Sequence, residues 1–267
     1  MDDDIEVLQG GVGNAGAVVR IGAHVLRPTN PHSPAIHALL DHVRRSGFDG
    51  VQEVVAVEPD GRERLVFIAG DVPIPPYPPW SRADAVLASV AALLRRFHDA
   101  TVDFVAPVGT TWSVEMADPT PGPDPVLCHN DVCLENVVFH HGTAVTLLDF
   151  DFAAPGRREH DLATMARMCI PVEPDEDAAR SGRGGLDPVA RLRVVADAYG
   201  LDGAGRTALV AALAESIERG GEFVRRRVDA GEPAFIEMWN SMGGQERFDR
   251  RRRWFTVNRH RFDAVMA

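Results

Sequence analysis

Short apolar segments separated by glycine and turn residues run through the first 75 residues, and this pattern predicts strands. Residues 5–8 precede a glycine-rich run at 10–16, and residues 17–21 and 24–27 follow it, separated by a turn at 22–23. Strand, glycine loop, strand, tight turn and strand together predict a three-stranded antiparallel meander.

A helical period replaces this pattern at Ser33, which is a good N-cap residue followed by Pro34 at the first helical position. Apolar residues then recur at helical spacing, at Ile36, Leu39, Leu40 and Val43. Gly47 ends the predicted helix. Two further strands are expected at 51–57 and 64–69, joined by a turn rich in polar residues.

Prolines crowd residues 73–80, and this stretch is the best domain boundary in the sequence. At 267 residues the chain is long enough for two lobes with a cleft between them. We therefore predict an N-terminal lobe over 1–72, a linker over 73–80 and a C-terminal lobe over 81–267.

The C-terminal lobe begins with an amphipathic helix at 82–98, after which residues 104–125 lack any period and are expected to form a loop. Short apolar strands follow, at 126–128, 136–139 and 143–148. From about residue 159 the pattern is helical, interrupted by a glycine-rich, charged stretch at 173–187. This lobe is therefore expected to be mostly helical.

Five polar residues lie within a span of 23 residues, on a strand, a loop and a hairpin. They are His129, Asp131, Asn136, Asp149 and Asp151. The hairpin should bring the loop close to the end of the strand that precedes Asp149, so Asp131, Asn136 and Asp149 should reach one point in space. Phosphoryl transfer needs such a set, because a carboxylate orients the attacking hydroxyl and hard oxygen ligands hold Mg²⁺ against the nucleotide phosphates.

These residues form the pattern His-x-Asp-x-x-x-x-Asn, followed by an apolar strand that ends in Asp-Phe-x. The pattern is similar to the signature of the aminoglycoside phosphotransferase and choline kinase-like family, which has the protein-kinase-like fold. The resemblance implies a bilobal α+β fold, with one helix on a small antiparallel β-sheet N-lobe and a larger, mostly helical C-lobe. It also implies that Asp131 is the catalytic aspartate, with Asn136 and Asp149 as metal ligands. Asp161 matches a structural aspartate at the start of the following helix.

The resemblance covers most of the chain and assigns the nucleotide contacts. The glycine loop would cover the phosphates, with candidate contacts at Gly10, Gly11, Gly13 and Asn14. Arg27 on the third strand would neutralise phosphate charge, and Ala69 and Asp71 lie in the hinge that would meet an adenine. Residues 25–28, with Gly47 and Phe48, also resemble a bacterial subgroup labelled for trifolitoxin immunity.

Three positions depart from the family's pattern. The family usually has glycine where Asn130 stands and lysine where Arg27 stands. Arginine keeps the positive charge as a planar fork, but it is bulkier and not interchangeable with lysine. The helix that usually presents a glutamate to this cation offers only His37 or Asp41 on a plausible face. The sequence therefore leaves open which group pairs with Arg27.

Composition and charge narrow the partners. All 28 basic residues are arginine, since the sequence contains no lysine, and the net charge is -11. This charge argues against nucleic acid and an anionic membrane as partners, and it would attract a cationic small molecule. The basic run at 250–253 is interleaved with acidic residues and predicts a salt-bridged helix surface. Three sparse cysteines, an acidic N-terminus without a signal peptide and the lack of a long apolar run predict a soluble, cytoplasmic protein.

Several residues allow two interpretations. His129 is expected to be a buried structural histidine that bonds the backbone near Asp149. Asp151 could bind a second metal or a substrate amine, or it could stabilise a turn at 154–156. An acidic stripe consists of Glu215, Glu218 and Glu222. In the resembling family such groups hold cationic antibiotics, whereas the favoured interpretation here is a solvated helix face.

These observations predict a Mg²⁺-dependent phosphotransferase that uses ATP or GTP. It would transfer the γ-phosphate to a hydroxyl group of an aminoglycoside-like antibiotic or a small metabolite. The alternative is a pseudokinase or immunity protein that binds nucleotide or sequesters a toxin without chemistry.

Overall fold

The computed structural model describes residues 5–8 and 17–267. The N-terminal strands are β1 (Ile5–Val7), β2 (Val19–Ile21), β3 (His24–Pro28), β4 (Val54–Val57) and β5 (Arg62–Val66). They form an antiparallel sheet in the order β1-β2-β3-β5-β4. Ile21 pairs with Ile5 on one side and with His24 on the other, so the predicted meander is confirmed.

The helix α1 (Ser33–Arg45) lies between β3 and β4 in the chain, and it ends before Gly47, which has a left-handed φ of 87°. Its buried face contains Ala35, Ile36, Leu39, Leu40 and Val43. The predicted N-cap is wrong by one residue, because His32 occupies the cap position. Ser33 Oγ instead accepts the amide of Asn30 at 2.9 Å, since a serine hydroxyl also serves nearby backbone groups in turns.

The bounds predicted for the fourth and fifth strands are shifted. The hairpin between β4 and β5 is closed at Gly61, whose amide donates to Glu58 O at 2.9 Å, so β5 begins directly after the turn. Val51 does not belong to this sheet, because it forms a parallel bridge with Leu147 in the C-terminal part. This bridge is one of the links that fix the sheet against the rest of the molecule.

The helix α2 (Asp84–Ala100) confirms the predicted amphipathic helix and buries its apolar face. The short strands that follow are β6 (Val126–Cys128), β7 (Val137–His140), β8 (Thr143–Leu147) and β9 (Ala154–Gly156). β7 and β8 form the expected hairpin, while β6 pairs with β9. The turn predicted at 154–156 is wrong, because Ala154 pairs with Cys128 across the start of the polar loop.

Helices make up the rest of the chain, as predicted. They are α3 (Arg158–Cys169), α4 (Asp175–Arg180), α5 (Pro188–Tyr199), α6 (Gly203–Asp229), α7 (Pro233–Met242) and α8 (Gly244–Met266). The short helix α4 lies within residues 173–187, where the sequence predicts an interruption of the helical pattern. Three acidic residues in its first turn favour its N-terminus, and Asp177 is buried against Arg250 of α8 at 2.8 Å.

The predicted α+β architecture is confirmed, with a small antiparallel sheet carrying one helix and a larger, mostly helical part. The proline-rich stretch connects β5 to α2, and the domain bounds at 72 and 80 stay predictions. Within residues 5–8 and 17–267, no helix is both long enough and apolar enough to cross a membrane.

Candidate active site

The polar loop at 129–136 is held from behind by Asp161 in the first turn of α3. Asp161 is fully buried and accepts the backbone amides of His129 at 2.6 Å and Asn130 at 2.7 Å. His98 Nε2 donates to the same carboxylate at 2.9 Å. Although burial opposes ionisation, these contacts hold the pKa of Asp161 below its ordinary value. The structural aspartate that the resemblance implies therefore supplies an acceptor to two buried loop amides.

His98, Cys128 and Asp161 also bring three potential metal-binding atoms within 4.8 Å of one another. Two of these groups already have hydrogen-bond partners, because Asp161 accepts three hydrogen bonds and His98 Nδ1 pairs with the hydroxyl of Tyr199 at 2.6 Å. Burial raises the pKa of the Cys128 thiol. We interpret this cluster as a structural support for the loop.

His129 is fully buried and acts as a neutral spacer within the loop. Its Nε2 donates to Leu148 O at 2.8 Å, and its Nδ1 accepts the amide of Asp131 at 3.3 Å. Burial lowers the pKa of His129, which favours the neutral ring that this pattern of one donor and one acceptor requires. The predicted structural histidine next to Asp149 is confirmed.

Asn130 occupies the position where the family usually has glycine. Its φ of 65° lies in the left-handed region, which asparagine tolerates better than most residues with a Cβ. Asn130 Nδ2 donates to Phe152 O at 2.9 Å and thereby ties the loop to the segment after β8. The departure from glycine therefore keeps the loop conformation and adds a polar contact.

Asp131 and Asn136 face each other across the loop. Asn136 Nδ2 donates to Asp131 O at 2.9 Å and to its carboxylate Oδ2 at 3.1 Å. Burial raises the pKa of Asp131 to about 8, and the negative charge of Asp149 adds to the shift. A carboxylate with a pKa near neutrality suits the exchange of a proton with a hydroxyl group. The structure thus places Asn136 against Asp131, and Asp149 is close enough for its charge to act on Asp131.

Arg27 on β3 reaches the residues that follow β8. Its Nη1 donates to Asp149 Oδ1 at 2.8 Å, and its Nη2 donates to Asp151 Oδ1 at 2.9 Å. Although burial opposes its charge, Asp149, Asp151 and Glu63 raise the pKa of Arg27. The sequence leaves two interpretations of Asp151 open, and neither includes this contact. In the structure Asp151 is a partner of Arg27, the candidate for phosphate binding.

Glu63 is the residue that the sequence analysis missed. It lies opposite Arg27 in the β3–β5 register and accepts hydrogen bonds from Arg27 Nε and His37 Nε2. Although burial opposes ionisation, the bonds from His37 and Arg27 keep the pKa of Glu63 below its ordinary value. The helix α1 therefore reaches Arg27 indirectly, through His37, whereas Asp41 is exposed and pairs with Arg45 at 2.6 Å.

The hinge candidates Ala69 and Asp71 lie between β5 and α2. The amide of Asp71 donates to Phe139 O at 2.9 Å, and Asp71 O accepts the amide of Phe139 at 2.8 Å. Ala69 O accepts His140 Nε2 at 2.7 Å. These three backbone groups are therefore not available to a nucleotide base, which would have to bond other backbone groups of this segment or the side chain of Asp71. The nucleotide contacts of Ala69 and Asp71 stay predictions. The candidate phosphate loop lies outside the described residues, at Gly10, Gly11, Gly13 and Asn14.

The oxygen atoms beside Asp131 fit a hard divalent cation. Because Asn136 donates through Nδ2, its Oδ1 is left as a neutral ligand. Asp149 offers a carboxylate whose side chain is 26% exposed. Amide and carboxylate oxygens are the ligands that Mg²⁺ prefers, so the donor set matches the metal role that the resemblance implies.

The acidic stripe on α6 is confirmed as a solvated helix face. Its three glutamates are exposed, and two of them form surface ion pairs: Glu215 with Arg157 at 3.4 Å and Glu218 with Arg252 at 2.8 Å. Such exposed pairs contribute little to stability.

Comparisons with known proteins agree with this geometry. The model of the phosphotransferase enzyme family matches residues 109–195, which contain the polar loop and α3. The trifolitoxin immunity protein of Rhizobium leguminosarum bv. trifolii is 33% identical over 204 residues, which cover 75% of this chain and 76% of that protein.

Solved structures confirm the protein-kinase-like fold. A choline/ethanolamine kinase family protein from Mesorhizobium loti matches with a TM-score of 0.66 at 18% identity, over 98% of this chain and 92% of its own. The GDP complex of aminoglycoside 2'-phosphotransferase-IIIa matches with a TM-score of 0.60 at 11% identity, over 95% of this chain and 93% of its own. With 33% identity over 75% of its length, this chain belongs to the family of the trifolitoxin immunity protein, and its residues 109–195 match the phosphotransferase enzyme family.

Proposed function

We propose that this protein is a small-molecule kinase that transfers the γ-phosphate of ATP or GTP to a hydroxyl group. The observation that carries the proposal is the arrangement around Asp149, where Arg27 binds this carboxylate at 2.8 Å and the Asp131–Asn136 pair lies alongside. Phosphoryl transfer depends mainly on positioning and charge neutralisation, and these side chains offer both.

Each residue has a distinct task in this proposal. Asp131 orients the acceptor hydroxyl and takes its proton. The bond from that oxygen to the γ-phosphorus forms as the bond from the γ-phosphorus to the nucleoside diphosphate breaks, and ADP or GDP leaves. Asn136 and Asp149 would hold Mg²⁺, which supplies positive charge to the nucleotide phosphates. Arg27 binds the same phosphates, and Glu63 keeps its guanidinium in place.

The contacts of Arg27 suggest how the nucleotide enters. Its Nη1 and Nη2 bond Asp149 and Asp151, and a guanidinium fork binds carboxylate and phosphate oxygens with the same geometry. Arg27 would therefore exchange carboxylate oxygens for phosphate oxygens when nucleotide binds, while its Nε bond to Glu63 persists. Asp149 would then be available to hold Mg²⁺.

The test is the substitution Asp131→Asn, assayed for nucleotide turnover with a panel of hydroxylated compounds. Loss of a general base typically reduces the rate by about 100-fold or more, and we expect that loss without a change in nucleotide binding. Asp124→Asn, at an exposed loop position, is the matched control. Wild-type turnover of a genuine acceptor by Asp131→Asn would contradict the assignment.

A second candidate is a protein that binds nucleotide or sequesters a toxin without turnover. The name of the 33% identical relative, an immunity protein, favours it. Protection of cells against the toxin distinguishes the two candidates. Protection that survives Asp131→Asn would not need phosphoryl transfer. Thermal unfolding with and without Mg²⁺-ATP tests nucleotide binding itself, because an occupied site stabilises the fold by mass action whether or not turnover follows.

A further inference from the structure

Arg167 approaches the polar loop from α3. This helix is fixed along the loop at two points: Asp161 accepts the amides of His129 and Asn130, and Cys169 Sγ lies 3.8 Å from Val132 O. Arg167 lies between these anchors in the chain, and Val132 directly follows Asp131. The charge of Arg167 accordingly acts on Asp131, although no hydrogen bond joins them.

Two residues of α6 hold the Arg167 guanidinium in place. Its Nε donates to Ser216 Oγ at 3.0 Å, and Ser216 is only 2% exposed. The guanidinium packs on Gly220, where an added Cβ would lie 2.7 Å from Nη1. Any larger residue at this position would displace the guanidinium, so glycine leaves the room that Arg167 occupies.

The outer nitrogens of Arg167 make no hydrogen bond to any residue that the structure describes. Among residues 5–8 and 17–267, no acceptor takes a hydrogen bond from Nη1 or Nη2, and neither atom is sealed from solvent. Burial lowers the pKa of Arg167, and the charge of Asp131 opposes that shift. A fixed, half-buried fork with free donors is the geometry that recognises carboxylate and phosphate groups.

Two carboxylates of this part of the structure already have partners. Glu135 accepts the hydroxyl of Tyr77 at 2.9 Å, and the buried Glu173 pairs with Arg183 at 3.1 Å and with Arg247 at 2.8 Å. Arg251 adds positive charge behind Arg167, because its Nη2 donates to Arg167 O at 2.6 Å. A polycation placed beside Asp131 would therefore meet the fixed positive charge of Arg167, with the charge of Arg251 behind it.

We propose that Arg167 binds a carboxylate or phosphate group of the phosphate acceptor, so that the acceptor is a hydroxylated acid and not a polycation. That the bound anion is the phosphate acceptor rests on the proposed kinase function. The anion site itself rests on Arg167, Ser216 and Gly220 alone. The two are therefore tested separately.

Anion binding is measured first, because it does not need turnover. Thermal unfolding is followed in sodium sulfate and in sodium chloride at equal ionic strength. Mg²⁺ and a non-hydrolysable ATP analogue are present at saturation, so that nucleotide phosphates already occupy Arg27. The variants are Arg167→Met and Gly220→Ala, of which the second keeps every charge and displaces the guanidinium. Gly203→Ala on α6 is the matched control, since a Cβ there meets nothing within 4 Å.

Sulfate also stabilises folded proteins without occupying a site, because it is excluded from their surface. We therefore expect sulfate to stabilise the wild type and Gly203→Ala more than chloride does, and we expect this difference to be smaller in both test variants. Equal sulfate stabilisation in all four proteins overturns the site. Weaker binding of the ATP analogue by Arg167→Met, without a change in the sulfate effect, would assign Arg167 to the nucleotide and would also overturn it.

Acceptor preference is measured second, with hydroxy acids, their neutral amides and matching amines as substrates. We expect the acids to be preferred and Arg167→Met to raise their KM by about tenfold or more, which corresponds to about 1.4 kcal/mol, with the nucleotide KM unchanged. A preference for amines that Arg167→Met leaves intact overturns the inference and leaves the kinase proposal standing. A sulfate site formed by Arg167 in a protein that phosphorylates no compound supports the anion site and contradicts the kinase proposal.

Discussion

Arg27 Nη1 lies 2.8 Å from Asp149 Oδ1, and this contact joins the N-terminal sheet to the segment that follows β8. The same guanidinium binds Asp151 through Nη2 and Glu63 through Nε. A lysine ammonium is a compact point charge and cannot match three carboxylates with a planar fork. Arg27 is therefore part of a network of three carboxylates, and the family's usual lysine could not form the same set of hydrogen bonds.

Arg27→Lys and Arg27→Met should separate charge from geometry. Methionine removes both, so we expect the dissociation constant for Mg²⁺-ATP to rise by about tenfold or more, as for the loss of a charge-assisted hydrogen bond. Lysine keeps the charge but loses the fork, so its effect should be intermediate. Calorimetric titration of nucleotide measures both. Arg45→Met, at a side chain that is 72% exposed, is the control, and equal affinities in all variants would contradict the role of Arg27.

Glu63→Gln should lower the free energy of unfolding more than it lowers the turnover rate. The carboxylate is 2% exposed and accepts hydrogen bonds from two side chains, and hydrogen bonds to charged groups contribute about 1.5–3 kcal/mol. We expect a loss of about 2 kcal/mol in the free energy of unfolding, measured by denaturant titration.

A double-mutant cycle with His37→Gln identifies the source of this loss. The two substitutions should be non-additive, because both remove the His37–Glu63 bond. Glu53→Gln is the control, since Glu53 pairs with Arg44 at an exposed site, with 53% of the glutamate side chain accessible. Additive effects of the two substitutions would mean that His37 and Glu63 act independently.

Asp161→Asn should make stability less dependent on acid pH. The pKa of Asp161 is lowered on folding, so its contribution is fully present above the unfolded pKa of about 3.9 and is lost as the pH falls from there through the folded pKa. At pH 7 we expect the variant to lose about 3 kcal/mol, because an ionised acceptor is removed from two buried amides. The gap between the unfolding free energies of the two proteins should stay constant from pH 7 to about pH 4 and narrow as the pH falls further. A gap that does not narrow below about pH 4 would contradict the assignment.

Asn130 should tolerate glycine better than alanine. Alanine at a left-handed φ of 65° costs about 1–2 kcal/mol and loses the bond to Phe152 O, whereas glycine loses only that bond and adds chain entropy. Asn130 Oδ1 is also buried without a partner among the described residues, so its removal costs nothing in hydrogen bonding. Denaturant titration should give the order wild type, Asn130→Gly, Asn130→Ala. An alanine variant as stable as the glycine variant would show that the loop relaxes to another conformation.

Local pattern was sufficient for the elements that carry the candidate chemistry. The spacing from His129 to Asn136 and the apolar strand before Asp149 lie within one short stretch of chain, and a hairpin of this length has few ways to close. The same holds for the meander of β1, β2 and β3 and for α2. Periodicity and turn residues decide such elements because their hydrogen bonds join neighbours in sequence.

The partners of the two arginines depended on contacts between distant segments. Glu63 pairs with Arg27 because β3 and β5 adopt one register, and the buried alternation of Glu63 with Leu65 was the signal that could have indicated it. Arg167 is directed by Ser216 and Gly220, which are about fifty residues away on another helix. The sequence alone therefore determined the loop, the hairpin and the residue types that could transfer phosphate. Tertiary packing decided which charges meet, because burial and close approach between distant elements depend on how the whole chain folds.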